Sequence, residues 1–159
     1  MILVTVGMQT PFDRLCMAVD RWAGDRSRDD VFMQTGETNW VPKHSRHTDM
    51  IRPDEFRGLM KQAKLLIMHV GVGSIVTASE YGIPMILMPR REALHETRND
   101  HQYHAALRMR NTPGIQIVLN EREIPSILDG FDWEKRRPEV DFGSTSPELI
   151  RQVSTFINE

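Results

Sequence analysis

Glycines follow an apolar segment in the middle of the chain, in a pattern that favours ligand binding. The segment LLIMHV at residues 65–70 has the composition of a buried strand, and GVGS at residues 71–74 leads into a helical pattern. Glycine lets the backbone approach a ligand closely, and the first N–H groups of a helix are unpaired donors at the positive end of its dipole. We therefore expect Gly71, Gly73 and Ser74 to bind a phosphate group. A tight turn with Ser74 as an ordinary helix N-cap is the alternative.

The start of the chain shows a similar arrangement. MILVTVG at residues 1–7 predicts a strand that ends at Gly7, and an amphipathic helix is predicted over residues 11–24. Ligands of parallel sheets bind at the carboxyl ends of the strands, so both glycine segments are expected at one edge. His69, at the end of the second strand, either faces the ligand or packs as an interior residue, and the sequence leaves both readings open.

The densest polar cluster in the chain follows a predicted apolar strand, MILM at residues 85–88. It runs from PRR to RNDHQ over residues 89–102. If a phosphate binds nearby, Arg90 or Arg98 is suited to neutralise negative charge that develops on a leaving group. A solvated loop with charges of both signs is the alternative for this cluster.

The composition argues against several classes of protein. The chain has 159 residues, and its 20 Lys and Arg nearly balance its 22 Asp and Glu, so nothing indicates a nucleic-acid partner. The single cysteine, Cys16, cannot form an internal disulfide, which fits a reducing compartment. The opening MILVTVG is too short for a secretory signal, and no segment approaches the roughly 20 apolar residues that span a bilayer.

The other segments alternate between strand and helix patterns. We predict strands over 31–34, 49–52 and 115–119, helices over 53–64, 100–109 and 121–128, and a polar loop over 35–48. A surface connection over 129–145 and a C-terminal helix over 146–158 complete a single domain over 1–159. This alternation predicts an α/β fold: a Rossmann-like parallel sheet with helices on both faces.

Four segments in register resemble a known family of enzymes: VTVGMQTPFDRL, HVGVGS, GIPMILMPRR and RNDHQ. Together they resemble the C-terminal, nucleotide-sugar-binding half of the two-lobed (GT-B) glycosyltransferases of family 28. They are most similar to the small stand-alone subunits of bacterial exopolysaccharide and capsule glycosyltransferases, which in turn are similar to the cytosolic subunit of the eukaryotic dolichol-linked GlcNAc transferase. The resemblance covers roughly residues 1–110.

The resemblance implies one half of a split enzyme. This chain would bind the donor substrate, a UDP-sugar, and would need no cofactor. A membrane-anchored partner subunit would supply the other lobe and the lipid-linked saccharide acceptor for exopolysaccharide or capsule biosynthesis. The chain would then be cytoplasmic and peripheral at the inner face of the membrane through its partner. A homo-oligomer is the alternative in isolation, because a surface built for a missing lobe can pair with itself.

The first loop has an implied role in this resemblance. Gly7, Gln9 and Thr10 would face the diphosphate and the gap between the lobes. Relatives usually carry a small hydroxyl residue directly after the glycine, where this chain has Met8. The loop would therefore contact phosphate through its backbone.

The resemblance also implies contacts to the sugar and the ribose. Asp100 and Gln102, with Asn99 beside them, would hydrogen-bond sugar hydroxyls, because an amide offers both a donor and an acceptor. Many two-lobed relatives hold the ribose with a glutamate at the position of Thr77. The nearest carboxylate on that helix here is Glu80, about one turn further on.

The predicted chemistry is metal-independent and lacks a base of its own. The sequence has no Asp-x-Asp signature and no His or Cys spacing suited to zinc. Leaving-group charge would then be met by the helix dipole, backbone amides and arginine. We assign no catalytic residue, because the family places the general base on the partner lobe.

Two other classes of function remain as alternatives. A nicotinamide-dependent Rossmann oxidoreductase would carry G-x-G-x-x-G, whereas this chain reads GVGSIV. A non-catalytic module that positions a partner glycosyltransferase would retain the fold without needing the site residues.

Overall fold

The computed structural model describes residues 1–8 and 10–133, which form one parallel sheet flanked by helices. The strands are β1 (Ile2–Thr5), β2 (Val31–Gln34), β3 (Arg46–Thr48), β4 (Leu65–His69), β5 (Met85–Met88) and β6 (Ile115–Ile117). The α-helices are α1 (Asp13–Asp25), α2 (Pro53–Gln62), α3 (Val72–Glu80), α4 (His101–Met109) and α5 (Ile124–Asp129). The predicted helix over 146–158 and most of the predicted connection over 129–145 lie outside the described residues.

The strand order places β1 and β4 side by side at the centre of the sheet. The order is β3-β2-β1-β4-β5-β6, and every pairing is parallel. The chain first builds the sheet outward from β1 in one direction, then returns to build outward from β4 in the other. Such a reversal opens a crevice beyond the carboxyl ends of the two central strands, which is where ligands of open α/β sheets bind.

The alternation of side chains along β4 divides the core into two layers. Leu66 and Met68 pack with α2, α3 and α4, whereas Leu65 and Ile67 pack with α1 and α5. All four side chains are almost completely buried. Because both faces of the strand are covered, its sequence is a continuous apolar run, as expected of a parallel sheet. The predicted α/β fold with helices on both faces is confirmed.

The edge strand β3 corrects the sequence prediction. The strand predicted over 49–52 is wrong, because the chain pairs with β2 earlier, through Arg46–Thr48, within the predicted polar loop. These three residues are polar and largely exposed, so no apolar pattern marks them. Of the predicted helix over 121–128, the first residues, Glu121–Glu123, instead form a 3-10 turn. Among the described residues, no helix has both the length and the apolar composition needed to cross a membrane.

Candidate functional site

A cavity of about 880 Å³ lies at the carboxyl edge of the sheet. Its wall comes from the ends of β1 and β4 and from the segment that follows β5. Seven of the residues predicted for the site line it: Gly7, Thr10, His69, Arg90, Arg98, Asn99 and Gln102. Four others also line it: Val6, Met8, Glu96 and Thr97. The volume is at the upper end of the range typical of small-molecule sites.

The remaining predicted site residues do not line this cavity. Gly71, Gly73 and Ser74 are at the N-terminus of α3, shortly after His69, while Gln9 is outside the described residues. Glu80 is at the far end of α3, roughly 12 Å along the helix axis from its first residue. The ribose contact expected of Glu80 stays a prediction. Asp100 lies at the N-terminus of α4 and is discussed with its loop below.

Two of the glycines are explained by the imidazole of His69. A β-carbon on Gly71 would lie 2.4 Å from His69 Nε2, and one on Gly7 would lie 2.8 Å from His69 Cε1. Gly7 also has a φ of +81°, which side chains strongly disfavour. The sequence attributed both glycines to phosphate binding, but the structure shows that packing of His69 already requires them.

Gly73 is different, because its surroundings are open. No heavy atom lies within 4 Å of a β-carbon built on it. The helix N-cap is Gly71 and makes no side-chain capping bond, so the predicted alternative of Ser74 as N-cap is wrong. The hydroxyl of Thr77 donates to the carbonyl of Gly73 at 3.0 Å. The N–H of Ile75 donates to the carbonyl of Gly71 at 3.0 Å, and the helix N–H groups before Ile75 have no such acceptor among the described residues, so they keep their unpaired, electropositive character.

His69 is neutral at physiological pH. Burial, and to a smaller extent the nearby positive charge of Arg90, lower its pKa to about 4. The backbone of Thr5 opposes this shift in part. The buried Nδ1 atom has no hydrogen bond of good geometry among the described residues. His69 thus contributes shape and polarity to the cavity wall without a positive charge.

Arg90 is the second residue after β5 and is almost completely buried, 4% exposed. Its guanidinium donates to the backbone carbonyls of Val6 at 2.9 Å, Thr10 at 2.6 Å and Pro11 at 2.7 Å. The guanidinium also lies over the ring of Phe12, 4.7 Å from the centroid. Burial lowers the pKa of Arg90 below its usual value, but a guanidinium stays charged in any protein.

Gln34 is a positioning residue that sequence reasoning missed. Its buried amide oxygen accepts hydrogen bonds from the hydroxyl of Thr5 at 2.9 Å and the N–H of Val6 at 3.1 Å. Its amide nitrogen donates to the carbonyls of Gly7 at 3.0 Å and Asp49 at 2.9 Å. A buried glutamine at the end of an apolar strand is the one signal in the sequence that could have pointed to this role.

The segment after β5 is held in place by ion pairs. Arg14 of α1 binds both carboxylate oxygens of Glu96, each at 2.8 Å, and its other terminal nitrogen reaches Glu121 at 3.0 Å. Glu96 also accepts the N–H of Arg91 at 3.0 Å. A bidentate pair of this kind fixes orientation as well as distance.

Asp100 and Gln102, both expected to contact the sugar, have different environments. One carboxylate oxygen of Asp100 accepts the N–H of Glu92 at 2.9 Å and the Nε of Arg91 at 3.3 Å. These bonds, with that to Glu92 the largest cause, lower the pKa of Asp100. Gln102 instead lines the cavity, where its Oε1 accepts the N–H of Arg90 at 3.2 Å. Among the described residues its amide nitrogen has no partner and is available to a ligand.

Several solved structures share the fold of this chain. The NMR structure of ALG13 matches with a TM-score of 0.65 and 16% identity, over 96% of this chain and 94% of ALG13. UDP-glucose:anthocyanidin 3-O-glucosyltransferase, solved with UDP, matches with a TM-score of 0.60 and 15% identity. The match covers 99% of this chain but 35% of the enzyme. CalG4, the calicheamicin glycosyltransferase, matches with a TM-score of 0.58 and 17% identity, over 99% of this chain and 39% of CalG4. The fold is that of the C-terminal lobe of GT-B glycosyltransferases, and this chain spans about two fifths or less of those two enzymes.

The sequence also matches a family directly. A model of the glycosyltransferase family 28 C-terminal domain matches residues 1–130 of the 159. The chain therefore belongs to glycosyltransferase family 28. No curated protein sequence matches it significantly.

Proposed function

We propose that this chain is the donor-binding subunit of an inverting glycosyltransferase. It binds a UDP-sugar in the cavity beyond β1 and β4, and a second subunit supplies the acceptor. The alternative of a nicotinamide-dependent oxidoreductase has no support from the family match.

One observation carries the proposal: three distant parts of the sequence meet in one cavity at the reversal point of the sheet. Gly7, His69 and Gln102 all line it, although the first and last are separated by most of the described chain. In open α/β sheets this crevice is where nucleotides bind.

The diphosphate would lie between the loop after β1 and the N-terminus of α3. That end of α3 offers unpaired N–H groups, and Gly73 leaves the space in front of it open. Arg98 lines the cavity and adds a positive charge. Together these groups would stabilise the charge that UDP acquires as the glycosidic bond breaks, so the transfer would need no metal ion.

The sugar would be held mainly by Gln102. Its oxygen is already bonded to the backbone of Arg90, so its amide nitrogen is oriented as a donor to a sugar hydroxyl. Asn99 also lines the cavity. Asp100 is bonded within its own loop and would act by shaping that loop.

The general base and the acceptor would come from the partner. Within the cavity His69 is the residue of the type most often used as a base, but its low pKa makes it a weak one. The resemblance of the four sequence segments to small donor-binding subunits supports a separate second subunit. We propose, from the family resemblance, that this partner anchors the complex at the cytoplasmic face of a membrane and binds a lipid-linked saccharide for exopolysaccharide or capsule synthesis.

Titration calorimetry with UDP and a panel of UDP-sugars tests this function. UDP should bind the isolated chain, and UDP-sugars should bind without being transferred until the partner is added. CDP is the matched control for recognition of the nucleotide. An absence of heat with UDP at millimolar concentration would contradict the proposal.

A further inference from the structure

The contacts of Arg90 link two parts of the cavity wall that are far apart in sequence. Its guanidinium binds three carbonyls of the β1–α1 loop, defined as residues 6–12. Its own backbone N–H binds the side chain of Gln102. One residue thus fixes both the loop assigned to the diphosphate and the amide assigned to the sugar.

The charge of Arg90 is compensated in an unusual way. Among the described residues no carboxylate lies within ion-pair distance of its guanidinium, and the polar partners given above are all backbone carbonyls. A buried cation is stable only if hydrogen bonds replace the water it has lost. Three carbonyls of one loop must therefore point at the same guanidinium, which restricts the conformation of that loop.

Phe12, which is buried, anchors only the C-terminal end of the loop. Met8, near its tip, is 75% exposed and contributes nothing to the core. Gln34 holds the opposite side of the loop through Val6 and Gly7. Without Arg90, the carbonyls of Thr10 and Pro11 would lose the side-chain donor that holds them in place.

We propose that Arg90 is a positioning residue: it preorganises the β1–α1 loop and Gln102 for the donor, and does not itself bind the phosphates. This inference rests on the proposed function for its consequence in binding. Its structural part concerns the unliganded protein and is tested without a ligand. The same cation that the sequence suggested for the leaving group acts here through the loop.

Arg90→Met removes the donors and nearly keeps the side-chain length, Arg90→Lys retains a charge with fewer donors, and Arg91→Met is the matched control next in sequence. Heteronuclear NOE values should fall at the amides of Gly7 and Thr10 in Arg90→Met, recover in part in Arg90→Lys and stay unchanged in Arg91→Met. Unchanged values in Arg90→Met would overturn the proposal.

Binding kinetics separate positioning from direct contact. If the loop is competent for about a tenth of the time in Arg90→Met, the apparent Kd for UDP rises about tenfold. Stopped-flow measurements should place this change in the association rate and leave the dissociation rate unaltered. A change confined to the dissociation rate would show direct phosphate contact and overturn the proposal.

The wild-type protein provides a test that needs no variant to fold. In spectra of the arginine side chains, the hydrogen-bonded guanidinium protons of Arg90 should keep their slow exchange with water when UDP is added. Transfer of these bonds to phosphate, seen as a scalar coupling to ³¹P, would overturn the proposal. If UDP does not bind at all, the proposed function fails, while the NOE test of the unliganded loop still decides the role of Arg90.

Discussion

Gly71 and Gly73 are separated by one residue, yet they have opposite surroundings. A β-carbon on Gly71 would meet the imidazole of His69, whereas one on Gly73 would meet open space. We expect Gly71→Ala to lower the free energy of unfolding by about 1–3 kcal/mol through overpacking. Gly73→Ala should raise it by up to about 1 kcal/mol through helix propensity. Urea unfolding of both variants measures this, and equal effects would contradict the assignment.

Replacing the side-chain nitrogen of Gln102 by oxygen tests whether this residue recognises the sugar or the nucleotide. Gln102→Glu keeps the oxygen that accepts the N–H of Arg90 but removes the amide donor. The new negative charge should weaken UDP and the UDP-sugar alike, and loss of the donor should weaken the UDP-sugar about tenfold more than UDP, as for the loss of one good hydrogen bond. Gln62→Glu, at an exposed position on α2, is the control. An equal loss for both ligands would remove Gln102 from the sugar site.

His69 should make the protein less stable in mild acid. Its folded-state pKa of about 4 lies below the unfolded value of 6.5. Its contribution to the free energy of unfolding is therefore complete above pH 6.5 and is lost as the pH falls towards 4. The free energy of unfolding is expected to fall by about 3 kcal/mol over that interval. Unfolding of wild type and His69→Gln between pH 7 and 4 isolates this contribution, since the variant should show a shallower dependence. Parallel curves would mean that the imidazole is not shielded from water.

At the scale of elements, a negative charge at the N-terminus of α3 should have opposite effects on stability and on UDP binding. An aspartate at Gly73 places a negative charge in the first turn of the helix, where it is favourable by about 0.3–1 kcal/mol. The same charge should repel a diphosphate and weaken UDP binding at least about tenfold. Calorimetry and thermal unfolding of Gly73→Asp measure the two effects.

Gly58→Asp is the control for this charge, because Gly58 on α2 also has open surroundings. It should leave UDP affinity unchanged. If Gly73→Asp binds UDP as well as the control does, the N-terminus of α3 is not a phosphate site.

The elements differ in how well the sequence predicts them, and burial is the reason. β4 and β5 are covered on both faces, so their apolar runs identify them, and β5 was predicted at its observed bounds. β3 is polar and pairs only with β2, so its position depends on the partner strand and not on its own residues. The start of α3 was also predictable, because glycines follow an apolar strand.

The site was predictable only in part, for a related reason. Glycines and Gln102 belong to short motifs that a resemblance can identify. The bidentate pair between Arg14 and Glu96 joins residues 82 positions apart, and the contact of Gln34 with Gly7 spans 27. No local pattern encodes such contacts, since they depend on the order of strands in the sheet. The role of Arg90 was missed for the same reason.

At the scale of the whole molecule, the fold agrees with the proposal that this chain binds a donor and needs a second lobe for transfer. The reversal of strand order between β1 and β4 creates a crevice on one edge of the sheet. All the predicted binding residues that line the cavity lie on that edge. An open edge of this kind binds one reactant, and a second lobe would close over it, exclude water and bring the acceptor.

Chemical-shift mapping of UDP binding tests this central claim most directly. On titration with UDP, the backbone amides that shift most should be those of the β1–α1 loop, of His69 to Ser74 and of the segment around Gln102. Amides of β3 and of the α1–α5 side of the molecule should not move. The largest shifts appearing away from the carboxyl ends of β1, β4 and β5 would contradict the account.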